Sequence, residues 1–186
     1  PQSVSTTPPL YYWVAMATAW LTSPVLDLAV GARLASGLFI AVALFFVARA
    51  ARLLYGAQAG WAAALTLLGC IGLLVRGHEL NAATAQFAAA AMMLCGMASL
   101  QRDARSGWAL GGGAVLMVLA GGAAEALWFL LLAALLPLLL ADYRSPVVRR
   151  ALAWGVGAAL LFGAAWLAFL ATQQIPLKHG FNLQRW

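Results

Sequence analysis

"RLASGLFIAVALFFVARAARLL", Arg33 to Leu54, decides the fold class. From Leu34 to Val47 it carries no charge, and it closes on Arg49 and Arg52. A segment of ~20 predominantly apolar residues is what crosses the hydrocarbon core of a bilayer, and basic residues at its end are what membrane topology asks for. The stretch therefore predicts a membrane-spanning helix.

The rest of the chain agrees with it. Of 186 residues, 65% are hydrophobic and only 9% are charged. Water-soluble domains run near half apolar and a quarter charged, so the excess needs lipid as its solvent. The net charge of +6 is not gathered in one patch. The basic residues sit in small groups at the ends of apolar runs, which excludes a nucleic-acid-binding surface as the main reading. Cys70 and Cys95 lie inside apolar segments without metal or disulfide spacing and read as small buried hydrophobes. The opening "PQSVSTTPP" has no initiator Met, basic n-region or apolar h-region, and reads as the start of a processed or partial chain.

The predicted fold is all-α: a polytopic membrane helix bundle, one transmembrane domain over 1–186. An N-terminal interfacial helix covers 10–21, with Tyr11, Tyr12, Trp13 and Trp20 suited to the headgroup level. Pro24 and Gly31 break the chain after it. About six spans follow, at 33–54, 61–75, 80–100, 108–121, 125–140 and 151–171, with an outer-face tail at 172–186. Residues 108–140 are too long for one span but enough for two, and "GGAAE", Gly121 to Glu125, is the natural apex between them. This count puts Arg49/Arg52, Arg102/Arg105 and Arg144/Arg149/Arg150 on one side. The positive-inside rule makes that side cytoplasmic and leaves both chain ends extracytoplasmic. Small residues in every span let the helices pack as one bundle.

Chemistry-bearing motifs are few. There is no nucleophile elbow, no phosphate-binding glycine loop and no Cys/His metal set. "GGG", Gly111 to Gly113, lacks the Lys-Ser/Thr of a P-loop and reads as helix packing. The outer face holds the informative polar groups. "RGHELN" places Arg76, His78, Glu79 and Asn81 at the mouth of a helix pair, as a local Arg76–Glu79 ion pair or as part of a polar cavity for an anionic lipid or sugar. Glu125 is either solvated at its apex or, if buried, a functional carboxylate with a raised pKa. Lys178, His179 and Arg185 stand among Phe181 and Trp186, where cations and aromatics outside a membrane serve as an anchor or hold a lipid phosphate.

Taken in order, several stretches resemble a known family. "PPLYYW", then "GARLASGLFIAVALFFVARAARLLYG", "RGHELNAATAQF", "LAGGAAEALWFLLLAALLPLLL" and "FNLQRW" are similar to motifs of the polytopic GT-C glycosyltransferases. The likeness is to the protein O-mannosyltransferase-like branch that includes the lipid A aminoarabinose transferases. "RLAS" stands where that branch has an Arg-Leu-Pro-Ser-like span start, Pro137 for its Leu-Pro run, and Arg185 and Trp186 for its closing Arg-aromatic pair. The sequence departs at Thr6 and Thr7, where the aminoarabinose transferases have Glu-Lys, and at Asn81, where the family often has Asp. Glu125 is the charge nearest the family's hairpin Lys, and His179 is displaced from the family's position.

The resemblance implies an inverting sugar transfer from a polyprenyl-phosphate-linked donor to an acceptor on the extracytoplasmic face of a bacterial inner (plasma) membrane. It also implies a divalent metal near the phosphate and a catalytic acidic residue in an outer loop preceding "PPLYYW". In this chain the expected roles are supporting ones. Arg76, Lys178 and Arg185 would contact donor phosphate, His179 would join them in substrate binding, Tyr11 and Tyr12 would line the entrance, and Glu79 and Glu125 are reserve carboxylates. The alternatives are a non-catalytic membrane subunit packing with partner subunits in a larger complex and, third, a transporter, for which no repeated pair of broken helices is visible.

Overall fold

The computed structural model describes residues 9–70, 82–102 and 105–172. They form seven α-helices and a short 3-10 turn, with no strand among the described residues. The helices are α1 Pro9–Thr22, α2 Leu28–Tyr55, α3 Ala57–Leu68, α4 Ala83–Ser99, α5 Ser106–Leu119, α6 Ala123–Leu139 and α7 Pro146–Thr172. The 3-10 turn at Ala141–Arg144 leads into α7.

Caps explain where several helices depart from the predicted limits. α2 starts at Leu28 rather than Arg33, behind an extended Asp27 whose carboxylate accepts the Leu28 N–H at 3.0 Å. Gly31, expected as a breaker, lies inside α2 and is buried against Ala19 and Thr22 of α1. α7 starts at Pro146 rather than residue 151. Proline suits the first helical position, and the Ser145 hydroxyl caps the helix by accepting the Val148 N–H at 3.3 Å. The turn between α5 and α6 is Ala120–Gly122, so Glu125 belongs to the first turn of α6 and not to the apex itself. Gly121 has φ 86°, and the Gly122 N–H reaches back to the Met117 carbonyl at 2.9 Å. That is a Schellman closure, which needs a residue able to adopt the left-handed region.

α2, α4, α5 and α7 pack in that order as a row. α1 and α3 lie on α2, and α6 covers α5 with edges on α4 and α7. Backbones meet closely where side chains are smallest. A methyl group on Gly111 would stand 2.7 Å from the Gly155 carbonyl oxygen, and Gly107 is pressed as tightly on Ala151. Gly113, two residues on, faces Met93 and Ala89 of α4. The glycine run in α5 is thus a packing surface on two sides, which is the small-residue approach that lets helices associate without large side chains.

The buried residues are correspondingly small. Alanine makes up most of the buried hydrophobic set, from Ala15 and Ala35 to Ala133 and Ala151. Leucine and tryptophan dominate the exposed large hydrophobics, among them Trp61, Trp108, Trp154, Leu138 and Leu161. Two helices, α2 and α7, are long and apolar enough to cross a membrane; α3 to α6 are shorter apolar helices of 12 to 17 residues. Cys95 is buried, but Cys70 is exposed, contrary to expectation.

Candidate functional site

The outer face expected to carry chemistry is represented by α1, the start of α2 and the α5–α6 turn. Tyr11 is fully buried, and its hydroxyl is hydrogen-bonded to the Ser36 hydroxyl at 2.7 Å. Its ring stacks on Phe39 with centroids 6.0 Å apart, and Tyr12 meets it edge-on at 5.7 Å. Tyr11 therefore joins "PPLYYW" to "RLAS" as a packed clasp, while Tyr12 is exposed beside it. Thr22 and Ala19 touch Gly31 as Tyr11 touches Ser36 and Phe39, so α1 runs back antiparallel along the first half of α2. The predicted interfacial helix thus uses one face for packing and leaves Trp13 and Trp20 outside.

Register shows where this clasp stands. Arg49 and Cys95 line one cavity, and Arg102 donates to the Leu53 carbonyl at 2.9 Å, so α2 and α4 run in parallel. Counting back from Arg49 by the twelve residues between Ala83 and Cys95 brings the start of α4 level with about residue 37 of α2, at equal rise per residue. Leu28 to Ser36 project beyond that level, paired with α1. The α5–α6 turn is tied in below, where the Gln86 amide donates to the Ala120 carbonyl at 2.9 Å. Glu125 is half-buried there, its carboxylate lying against Gly122 at the helix N-terminus, where negative charge is favoured.

Arg76, His78, Glu79, Asn81, Lys178, His179 and Arg185 lie outside the described residues. The structure brings Tyr11 and Tyr12 together and sets Glu125 in a different element. Among the described residues no group of three or more His, Cys, Asp or Glu could hold a metal ion.

A second site lies at the opposite end. There the C-terminal turns of α2 and α4 meet the start of α5 around a cavity of about 270 Å³. Arg49, Arg102 and Arg105 line it with Cys95, Ser99 and Ser106. Phe46, Leu53 and Ala109 supply its apolar wall. Leu100 packs on Val148 and Tyr143 nearby, which brings the α6–α7 connection with Arg144 and the start of α7 with Arg149 and Arg150 to the same end. The arginines that topology assigned to one side therefore share one end of the bundle. Arg144 also donates to the Pro137 carbonyl at 3.1 Å, covering the end of α6. Exposed Tyr55, Trp61, Trp108 and Trp154 stand around this end, the last two stacked at 6.1 Å. Sequence alone treated these arginines as topology marks, because the ends of helices 50 residues apart in the chain carry no local signal of being neighbours.

Comparison with protein-family models, with curated proteins and with solved structures gives no match.

Proposed function

We propose that the chain is a membrane-embedded helix bundle forming part of an integral-membrane glycosyltransferase, one that uses a polyprenyl-phosphate-linked sugar donor at the extracytoplasmic face. The observation that carries the membrane reading is the inverted size distribution. Small alanines fill the centre, and leucines and tryptophans turn outward. In water the hydrophobic effect draws the largest apolar side chains inward; in lipid it exerts no such pull, and close packing of small residues takes over. Six apolar helices after α1, two of them of full spanning length, are consistent with it. The basic end with its exposed Tyr and Trp has the character of a cytoplasmic headgroup layer.

The glycosyltransferase reading rests on the family resemblance, and the Tyr11–Ser36 hydrogen bond supports it by joining two of the resembling motifs in one clasp. In the proposed reaction an acidic base takes the acceptor hydroxyl proton as oxygen attacks the sugar, and the polyprenyl phosphate leaves. In this reading Arg76, Lys178 and Arg185 hold the phosphate as charge develops on it, and His179 serves in substrate binding. Glu79 and Glu125 are the reserve carboxylates. A divalent metal, where bound, would share that phosphate charge.

Retention of a polyprenyl phosphate by the full-length protein in detergent, measured by native mass spectrometry, tests the reading. We expect retention well above that of phosphatidylcholine and a clear loss in Arg185→Ala and Arg76→Ala. Equal retention of the two lipids, or no effect of either substitution, would favour the second reading, a non-catalytic membrane subunit.

A further inference from the structure

We infer that the three-arginine cavity between α2, α4 and α5 is a phosphate-binding site, and that its occupant is the headgroup of an anionic glycerophospholipid at the basic end of the bundle. The site is separate from the donor contacts proposed above, which belong to the opposite face.

The argument begins with charge. The lining carries the guanidiniums of Arg49 and Arg102 and no carboxylate, while Arg105 beside them has an interaction of its own. Asp103, beside Arg102 in the chain, lies outside the described residues. Like charges gathered around one cavity repel one another and are relieved by a bound anion.

Orientation comes next. The Arg102 guanidinium is held in place by one N–H on the Leu53 carbonyl at 2.9 Å. A guanidinium has five N–H donors, so four remain to Arg102 in a fixed direction. The Ser99 hydroxyl donates to the carbonyls of Cys95 and Gly96, at 2.8 and 3.0 Å, so the donors offered to an anion are those of Arg49 and Arg102. Pre-oriented guanidiniums match the two-pronged geometry of phosphate oxygens, which a loose lysine pair would not.

Size and surroundings then select among phosphates. About 270 Å³ is several times the ~30 Å³ that one water occupies in the liquid, room for a phosphodiester with part of a glycerol. The wall beyond the guanidiniums is Phe46, Leu53 and Ala109, and Phe45 next along α2 is turned outward. A ligand with an anionic head and an apolar chain can follow that wall, whereas a bare ion uses only the head. The surrounding Tyr55, Trp61, Trp108 and Trp154 suit headgroup depth.

The inference rests on the membrane reading for its lipid and on the cavity for its phosphate. The test uses the full chain in neutral detergent with equal amounts of dioleoyl phosphatidylglycerol and dioleoyl phosphatidylcholine, read by native mass spectrometry. Phosphatidylglycerol should be retained in several-fold excess. The excess should fall roughly tenfold in Arg49→Gln/Arg102→Gln, as expected for lost hydrogen bonds to a charged group. Arg149→Gln/Arg150→Gln removes equal charge at the same end, outside the cavity, and should leave it unchanged. Ala109→Phe keeps every charge but fills the cavity, and should also abolish the excess; it decides the matter if the arginine pair elutes as misfolded protein. Failure of millimolar inorganic phosphate to displace the lipid identifies the headgroup with its chain as ligand, and full displacement overturns the lipid assignment in favour of a free anion. Equal retention of the two lipids overturns the site altogether, as does an equal loss in both arginine pairs. Polyprenyl phosphate retention should be unaffected by Arg49→Gln/Arg102→Gln, so the two readings fail separately.

Discussion

Tyr11 shows how one residue changes meaning between sequence and fold. As one of three successive aromatics behind two prolines it suggests the wall of an entrance. In the fold its ring is covered and its hydroxyl is bonded to Ser36, so it is the pin of the α1–α2 hairpin, and only Tyr12 keeps an open face. Interhelical hydrogen bonds in membrane proteins average about 0.6 kcal/mol, and neutral ones elsewhere reach roughly 1.5 kcal/mol. A double-mutant cycle of Tyr11→Phe and Ser36→Ala, followed by thermal melting in detergent, should therefore give a coupling near 1 kcal/mol. Strict additivity of the two substitutions would mean that the pair contributes nothing beyond packing.

At the scale of the element, α5 is the centre of the row, and its glycines determine how close its neighbours stand. Gly111 faces α7 and Gly113 faces α4, so a single run of three serves two interfaces. Gly111→Leu should force α5 and α7 apart and destabilise the protein by about 1–3 kcal/mol, the usual cost of overpacking. Gly157→Ala is the matched control, since a methyl group there meets nothing within 4 Å. It should leave the melting temperature unchanged or raise it slightly through better helix propensity. A comparable loss in both variants would mean that the close approach at Gly111 does not govern the response. Packing as the role of the glycine run was legible in the sequence, because a P-loop needs Lys-Ser/Thr and none follows. Its two-sided use was not, because which helix faces which side of α5 depends on the whole row.

For the whole molecule, exposed Trp61, Trp108 and Trp154 near the basic end and Trp13 and Trp20 on α1 bear on the membrane reading directly. In phosphatidylcholine vesicles, a spin label at the headgroup should quench tryptophan fluorescence more than one at the centre of the acyl chains. Stronger quenching from the chain centre, or none from either, is the result that would sink the proposed placement.

The sequence by itself determined that the chain is helical, apolar and organised by arginine. Those properties follow from composition and from the spacing of charges along the chain, which are local quantities. Several helix limits were also within its reach, as the Ser145–Pro146 cap and the Gly121 turn show, since cap chemistry is written in adjacent residues. Only the tertiary structure decided that Tyr11 is clasped to Ser36, 25 residues away, and that Arg49 and Arg102 share a cavity. The physical reason is the same in both cases. A contact between helices depends on their relative register, and register depends on how every small residue in the row allows its neighbour to approach.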